Sequence, residues 1–333
     1  MPPSGALEND EIATLRAWID QGADMPGRAE IEMVEKAPTD PRVNAFLDSV
    51  RSYEVRRFAA ALSTDKTLAR AVDASGSTTL MHAAYTGTIE MMTSLIDAGA
   101  DVNASNDRKA TALHWAITDP AKVRLLLLKG ADVNARTADG RTALHLAASL
   151  PAGARIVEML LEAGADVNAR SIIGVTPLFP GSVSSVETTR LLLAKGADPN
   201  ARNGLGATPL MLAALIGGPD TVALLLDAGA DAKLRTKRGE TALANAANHG
   251  DLESVRLLLD KGADVRNIDY NGYTPLMHAA YNDAASPDLI RLLLERGADV
   301  HAVGKGEVAG DTAAIIAARR GNTEAARILR AAQ

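Results

Sequence analysis

Cysteine is absent from all 333 residues, which excludes disulfide frameworks, thiolate metal sites and a cysteine nucleophile while leaving the redox compartment open. Aromatic residues make up only 3% although 47% of residues are hydrophobic, so Ala and Leu must do the packing that Phe or Trp does elsewhere. No run of eighteen apolar residues occurs, so membrane insertion is not expected. The first ten residues lack the basic start and apolar run of a secretory signal, and as written the chain is expected in the cytoplasm. A net charge of −6 offers no general attraction for a polyanion, and nucleic-acid binding is not expected. Gly-x-Ser-x-Gly and His-Glu-x-x-His are both missing, and Gly304-Lys305-Gly306 lacks the spacing and the Ser or Thr of a phosphate loop. An enzyme reading therefore has no nucleophile, base or metal to name, and no cofactor is expected.

What is present is one phrase written many times. Taking its Thr as the start, it begins at Thr78, Thr111, Thr142, Thr176, Thr208, Thr241, Thr274 and Thr312, in steps of 33, 31, 34, 32, 33, 33 and 38. A Thr before an apolar helix can cap it through its hydroxyl, Pro or Ala suits the first helical position, and a His three residues on can return a bond to the cap. Ala pairs such as Ala147-Ala148 and Ala279-Ala280 let a second helix approach closely. That second helix carries a wide apolar stripe, as in Val157-Glu-Met-Leu-Leu161, and ends at a Gly suited to a left-handed cap, as at Gly164, Gly196, Gly229, Gly262 and Gly297. An extended segment of the type Asp-Val-Asn-Ala-Arg then leads to the next Thr. From its Asp to that Thr there are ten residues in six successive cases, against 13 for Asp299 to Thr312, whereas Thr to the capping Gly varies from 19 to 23. Variation is thus placed between the two helices.

A period near 33 with this wording resembles the ankyrin repeat over residues 42–333. The resemblance implies an all-α fold, an elongated α-solenoid of about nine helix pairs with projecting β-hairpin-like fingers, working as a monomer. Residues 42–75 read as a divergent first pair, and the unit from Thr312, rich in Arg319, Arg320, Arg327 and Arg330, as the closing one. Ahead of these, residues 27–41 read as a charged linker with Pro38 and Pro41, and residues 1–26 as an amphipathic helical segment. The wording Met1-Pro2-Pro3-Ser4-Gly5-Ala6-Leu7, followed by Trp18-Ile19-Asp20-Gln21-Gly22-Ala23, resembles the C-terminal end of a bacterial c-type cytochrome domain. That resemblance implies that Met1 is the axial haem ligand of a longer precursor carrying haem c, in which case the compartment is periplasmic. The chain as given has no Cys for haem attachment.

Within the array, His114 and His145 share one position in neighbouring units and read as cap residues rather than metal ligands. Arg136, Arg170, Arg202 and Arg235 recur at one finger position and read as solvated repeat residues. Thr176-Pro-Leu-Phe-Pro-Gly-Ser departs most from the phrase, and Pro180 with Gly181 predicts a short or irregular helix there.

Ankyrin proteins bind through finger tips and the concave side of the first helices, so the resemblance implies binding residues where the units differ at these positions. Lys237, Arg238, Glu240, Asn248 and His249 fall there in the Thr241 unit, and Tyr270, Asn271, Tyr273, Tyr281 and Asn282 in the Thr274 unit, giving a basic patch beside three tyrosines. A second, apolar patch is expected from Ile172, Ile173, Val175 and Leu205. The expected function is a non-catalytic scaffold that holds a protein or peptide; the alternative is the interaction half of an exported redox protein.

Overall fold

The computed structural model describes residues 40–282, 286–305 and 309–333. The cytochrome-like stretch 1–26 and residues 27–39 of the linker lie outside them. The described residues fall into two compact units, one up to Ile172 and one from Ile173. The first holds helices α1 (Pro41–Arg51), α2 (Val55–Thr64), α3 (Thr79–Tyr85), α4 (Ile89–Asp97), α5 (Ala112–Trp115), α6 (Pro120–Leu128), α7 (Ala143–Ala148) and α8 (Ala154–Glu162). The second holds α9 (Leu178–Ser184), α10 (Val186–Ala194), α11 (Pro209–Leu212), α12 (Pro219–Asp227), α13 (Ala242–His249), α14 (Leu252–Asp260), α15 (Pro275–Tyr281), α16 (Pro287–Glu295), α17 (Ala313–Arg320) and α18 (Thr323–Ala331). Among the described residues there is no strand, only two isolated antiparallel bridges, Val72 to Thr78 and Ser105 to Thr111.

The repeated Thr starts the helices as its chemistry requires. The Oγ1 atoms of Thr78, Thr208, Thr241 and Thr274 accept the N–H three residues on, at 3.1 to 3.3 Å. At Thr111 and Thr142 the bond is reciprocal, because Nδ1 of His114 and His145 accepts the Thr N–H at 3.2 and 3.1 Å. Two residues after each Thr the recurrent Leu is shut off from solvent, as Leu80, Leu113 and Leu144 are in the first unit and Leu178, Leu243 and Leu276 in the second. The second helices bury Val123 and Leu126, Val157 and Leu160, Val255 and Leu258, and Ile290 and Leu293 against them. The Ala pairs are buried too, which is what allows helices this short to sit close.

Between helix pairs the chain makes a tight turn whose first side chain closes it. Asn106 Oδ1 accepts the N–H of Arg108 and of Ala110, each at 3.0 Å, and Asn203, Thr236 and Asp269 act in the same way. A left-handed residue completes the turn, Gly in most cases and Lys109, with φ 57°, in one. Six of these turns are each bonded to the one before. In the first unit the N–H groups of Asp107, Ala138 and Ile172 reach the carbonyls of Ser75, Arg108 and Asp139 at 3.2, 2.7 and 2.9 Å. In the second, Gly204, Lys237 and Tyr270 reach Ile173, Leu205 and Arg238 at 2.8, 2.9 and 2.7 Å.

The Asn of Asp-Val-Asn forms a further clamp. Asn134 Nδ2 donates to the Gly164 carbonyl at 3.1 Å while its Oδ1 accepts the Asp166 N–H at 2.8 Å. Asn103 does the same to Gly130 and Asp132, and Asn200 to Gly229 and Asp231. Where Arg stands at this position only the donating half survives, as from Arg70 to the Gly99 carbonyl at 2.8 Å and from Arg266 to that of Gly297 at 2.9 Å.

The Thr176 unit corrects one expectation. Its first helix is neither short nor broken; α9 runs seven residues, as α3 and α15 do. Pro180 has no N–H for the Thr176 carbonyl, and Phe179 N–H takes that carbonyl instead at 3.0 Å, after which Gly181 N–H resumes the ladder at Pro177 O, 3.1 Å away. The consequence is a lost cap, since the Phe179 N–H is diverted and the buried Thr176 Oγ1 is left without a partner. Irregularity falls one unit later. There Ala213–Gly217 form a π-helical turn, and a Cβ on Gly217 would sit 2.5 Å from the Ser182 carbonyl oxygen.

The clamp gives a direct test. Asn200→Ala removes both bonds to the next unit and is expected to lower unfolding free energy in urea by about 1 to 2 kcal/mol, whereas Asn200→Asp, which keeps the accepting oxygen, loses about half of that. Equal stability of all three proteins would show that the clamp contributes nothing.

Candidate functional site

The turns of the Thr241 and Thr274 units lie side by side in the second unit. The Tyr270 N–H to Arg238 carbonyl bond joins them at 2.7 Å, and Asn267 Nδ2 adds a bond to the Gly239 carbonyl at 2.9 Å. This pairing brings Lys237, Arg238 and Tyr270 together at the tips, all exposed, with Tyr270 at 81%. Glu240 is half-buried and its Oε2 accepts the Thr236 hydroxyl at 3.1 Å. Asn248 is half-buried, and its carbonyl accepts Asn282 Nδ2 at 2.8 Å, tying the ends of the two first helices to one another.

Behind the tips a hydrogen bond between a half-buried His and a buried carboxyl group holds the Thr274 unit. His278 Nε2 lies 3.0 Å from Asp269 Oδ2, while Asp269 Oδ1 accepts the Tyr273 N–H at 2.9 Å. Burial alone would raise the Asp269 carboxyl, but His278 and the N–H groups of Tyr273 and Asn271 outweigh it and hold the carboxyl below its ordinary value. The Tyr273 ring leans on the His278 ring at 5.1 Å and meets the Tyr281 ring edge-on at 6.3 Å. Arg320, from the next helix pair, places its guanidinium 4.4 Å from the centre of the Tyr281 ring.

Three sequence expectations are corrected here. Tyr273 is not an exposed contact residue; at 5% exposure its ring covers its own unit. Val175 is likewise buried, at 8%, in a cluster with Phe179 and Ala201 on which Ile173 and Leu212 also pack. Of the apolar tips only Ile172 and Leu205 stand out in solvent, and they belong to different compact units. Nor are the finger arginines merely solvated. Arg136 donates to the carbonyls of Gly140 and Arg170 at 3.2 and 2.7 Å, Arg202 to that of Arg235 at 2.6 Å, and Arg235 to the Asp264 carboxylate at 3.0 Å.

Sequence reasoning missed an aromatic group in the first unit. Trp115 stands edge-on to His82 at 5.5 Å and to Tyr85 at 5.9 Å. Tyr85 lies seven residues after Thr78, the same register as Tyr281 after Thr274, so the comparison that singled out Tyr281 could have found it. Among the described residues, no three His, Asp or Glu side chains gather as a metal ion would need, and no helix is long and apolar enough to cross a membrane.

Helix pairs opened by a capped Thr, closed by a left-handed Gly and tied to the next pair through bonded turns define a helical repeat protein. A family model for ankyrin repeats in three copies matches residues 58–137, 80–171, 118–203, 181–269 and 210–304, and one for many copies matches 283–330. The chain belongs to the ankyrin-repeat family. No curated protein matches it in sequence. Ankyrin repeats indicate a protein–protein interaction scaffold.

The Asp269 brace carries a pH signature. Since its folded value lies below the unfolded value of about 3.9, its contribution is complete above that pH and is lost as pH falls through the folded value. Asp269→Asn is expected to lower stability at pH 7 by about 1.5 to 3 kcal/mol, with the gap to the unsubstituted protein closing in urea titrations below about pH 4. A gap that stays constant into acid would show that the carboxylate charge plays no part.

Proposed function

We propose that the chain is a non-catalytic scaffold, an ankyrin solenoid of about nine helix pairs, that holds a protein or peptide at the face formed by the Thr241 and Thr274 units. The observation that carries this is Tyr270, a large aromatic side chain 81% exposed on a turn whose backbone is bonded to the turn of Lys237 and Arg238. A ring held out on a fixed backbone loses little freedom when it is covered, and Tyr beside Arg is the composition that carries interface energy. The carboxylates of this face among the described residues have internal partners: Glu240 with Thr236, Asp269 with His278 and Asp311 with Arg319. Lys237 and Arg238 therefore set the sign of the tips, which favours a partner segment that carries acidic side chains. Glu240, Asn248, Tyr281 and Asn282 frame this face, and Tyr273 serves it from beneath.

Partner capture from the native host, followed by titration of the isolated pair, tests this. Tyr270→Ala should weaken binding by about 1 to 2 kcal/mol or more with the fold unchanged, and raising salt should weaken it further through Lys237 and Arg238. Leu293→Ala, in contrast, should cost about 2 to 5 kcal/mol of stability. Unaltered affinity in Tyr270→Ala would move the site to another face, with Ile172 and Leu205 as the next side chains to change.

A further inference from the structure

The hexapeptide Leu-Met-His-Ala-Ala-Tyr occurs twice in the chain. Leu80-Met-His-Ala-Ala-Tyr85 in the first compact unit and Leu276-Met-His-Ala-Ala-Tyr281 in the second are identical. Both are braced alike, with His82 Nε2 2.8 Å from Asp73 Oδ2 and His278 Nε2 3.0 Å from Asp269 Oδ2. Each tyrosine ends a helix of seven residues, so the two rings leave the same backbone frame.

What meets the rings differs. Tyr281 is half-buried and carries a cation from its own chain, the Arg320 guanidinium 4.4 Å from its centre, delivered by the last turn of the eight-residue helix α17. In the first unit the corresponding helix, α5, stops after four residues at Trp115, and the chain runs on as Ala116-Ile117-Thr118-Asp119, with no Arg or Lys. Tyr85 is accordingly 63% exposed, and the Trp115 ring stands beside it nearly at right angles, at 85°. Nearby cations have other partners. Lys122 is buried and donates to the Ala84 carbonyl at 3.1 Å, and Arg51 lies 3.5 Å from Asp48 and 3.8 Å from Asp73. Asp119 caps α6 through Oδ1 and adds negative charge to the same segment.

We propose that Tyr85 and Trp115 form a docking notch for an arginine side chain of a partner polypeptide, which takes the place on Tyr85 that Arg320 holds on Tyr281. A planar guanidinium can lie over the tyrosine face while its edge is flanked by the indole, a geometry that an ammonium on a flexible stem meets less well. This station is independent of the Tyr270 face, because it is built from other residues in the other unit.

The test uses the full chain and three sets of fluorescein-labelled dodecapeptides with random flanks and a fixed central residue: Arg, citrulline, which has the same shape without the charge, or Pro. The Arg set should bind about tenfold tighter than either other set. Tyr85→Ala should weaken the Arg set about fivefold or more, Tyr85→Phe, which keeps the ring, should bind as the unsubstituted chain does, and Tyr270→Ala should change nothing. Circular dichroism of each variant verifies that the fold is kept, as exposure of Tyr85 leads one to expect. Equal binding of the Arg and citrulline sets, preference for the Pro set, no binding at millimolar peptide, or full binding by Tyr85→Ala would each overturn the proposal.

Discussion

The structure depends most on a short backbone bond, the one that six turns make to the turn before them. A turn can donate and accept in this way only if it keeps its register with its neighbour, and the side chain that closes the turn fixes the same register from within. Those two demands explain why six successive Asp-to-Thr segments are ten residues long while the stretch from Thr to the capping Gly is free to vary. Among the described residues the loop between helices carries no such backbone bond to its neighbours, and there the chain tolerates the π-helical turn at Ala213–Gly217 and the four-residue helix at Ala112–Trp115. The longest segment, Asp299 to Thr312, still closes on itself, with Gly304 N–H on the Asp311 carbonyl at 2.9 Å.

Much of the helical framework was legible because each helix start is a local event. A Thr hydroxyl, a Leu two residues on and an Ala pair act within a single unit, and the periodic spelling exposes them. The Asn clamp was not legible, since recurrence marks Asn134 and Asn200 as repeated without saying that their amides reach the next unit. Arg136 and Arg202 hid for the same reason: each donates to a backbone carbonyl some thirty residues away, which no side-chain pattern records. Pro180 shows the converse limit. A rule about helix interiors predicted damage, but near a helix start one tighter bond from Phe179 serves the orphaned carbonyl, and the loss moves to the Thr176 hydroxyl.

The candidate face was legible in part, and the misreading has a physical cause. The position just before Thr was expected to face a partner, yet what stands there is decided by volume. Glu240 and Ala207 are half-buried at this position, while Val175 and Tyr273 are buried because a larger apolar side chain finds enough neighbouring surface to cover itself. For Tyr273 that surface is supplied by His278 and Tyr281, so the side chain chosen as a contact is a support. Tyr270, out on the tip of the turn, stays 81% exposed.

That division of labour bears on binding strength. An interface loses affinity to whatever freedom its side chains and loops give up on association, so a scaffold gains by ordering its tips before the partner arrives. Here the turn under Tyr270 is fixed from three directions: by Asp269 within the turn, by His278 holding Asp269, and by Arg238 on the preceding turn. Protonating or removing Asp269 would loosen the first two together while leaving the tip residues chemically intact. The brace and the tip are therefore separable parts, one governing how firmly the ring is held out and the other what it can touch, and substitutions that weaken binding through the brace carry a dependence on pH that substitutions of Tyr270 itself do not.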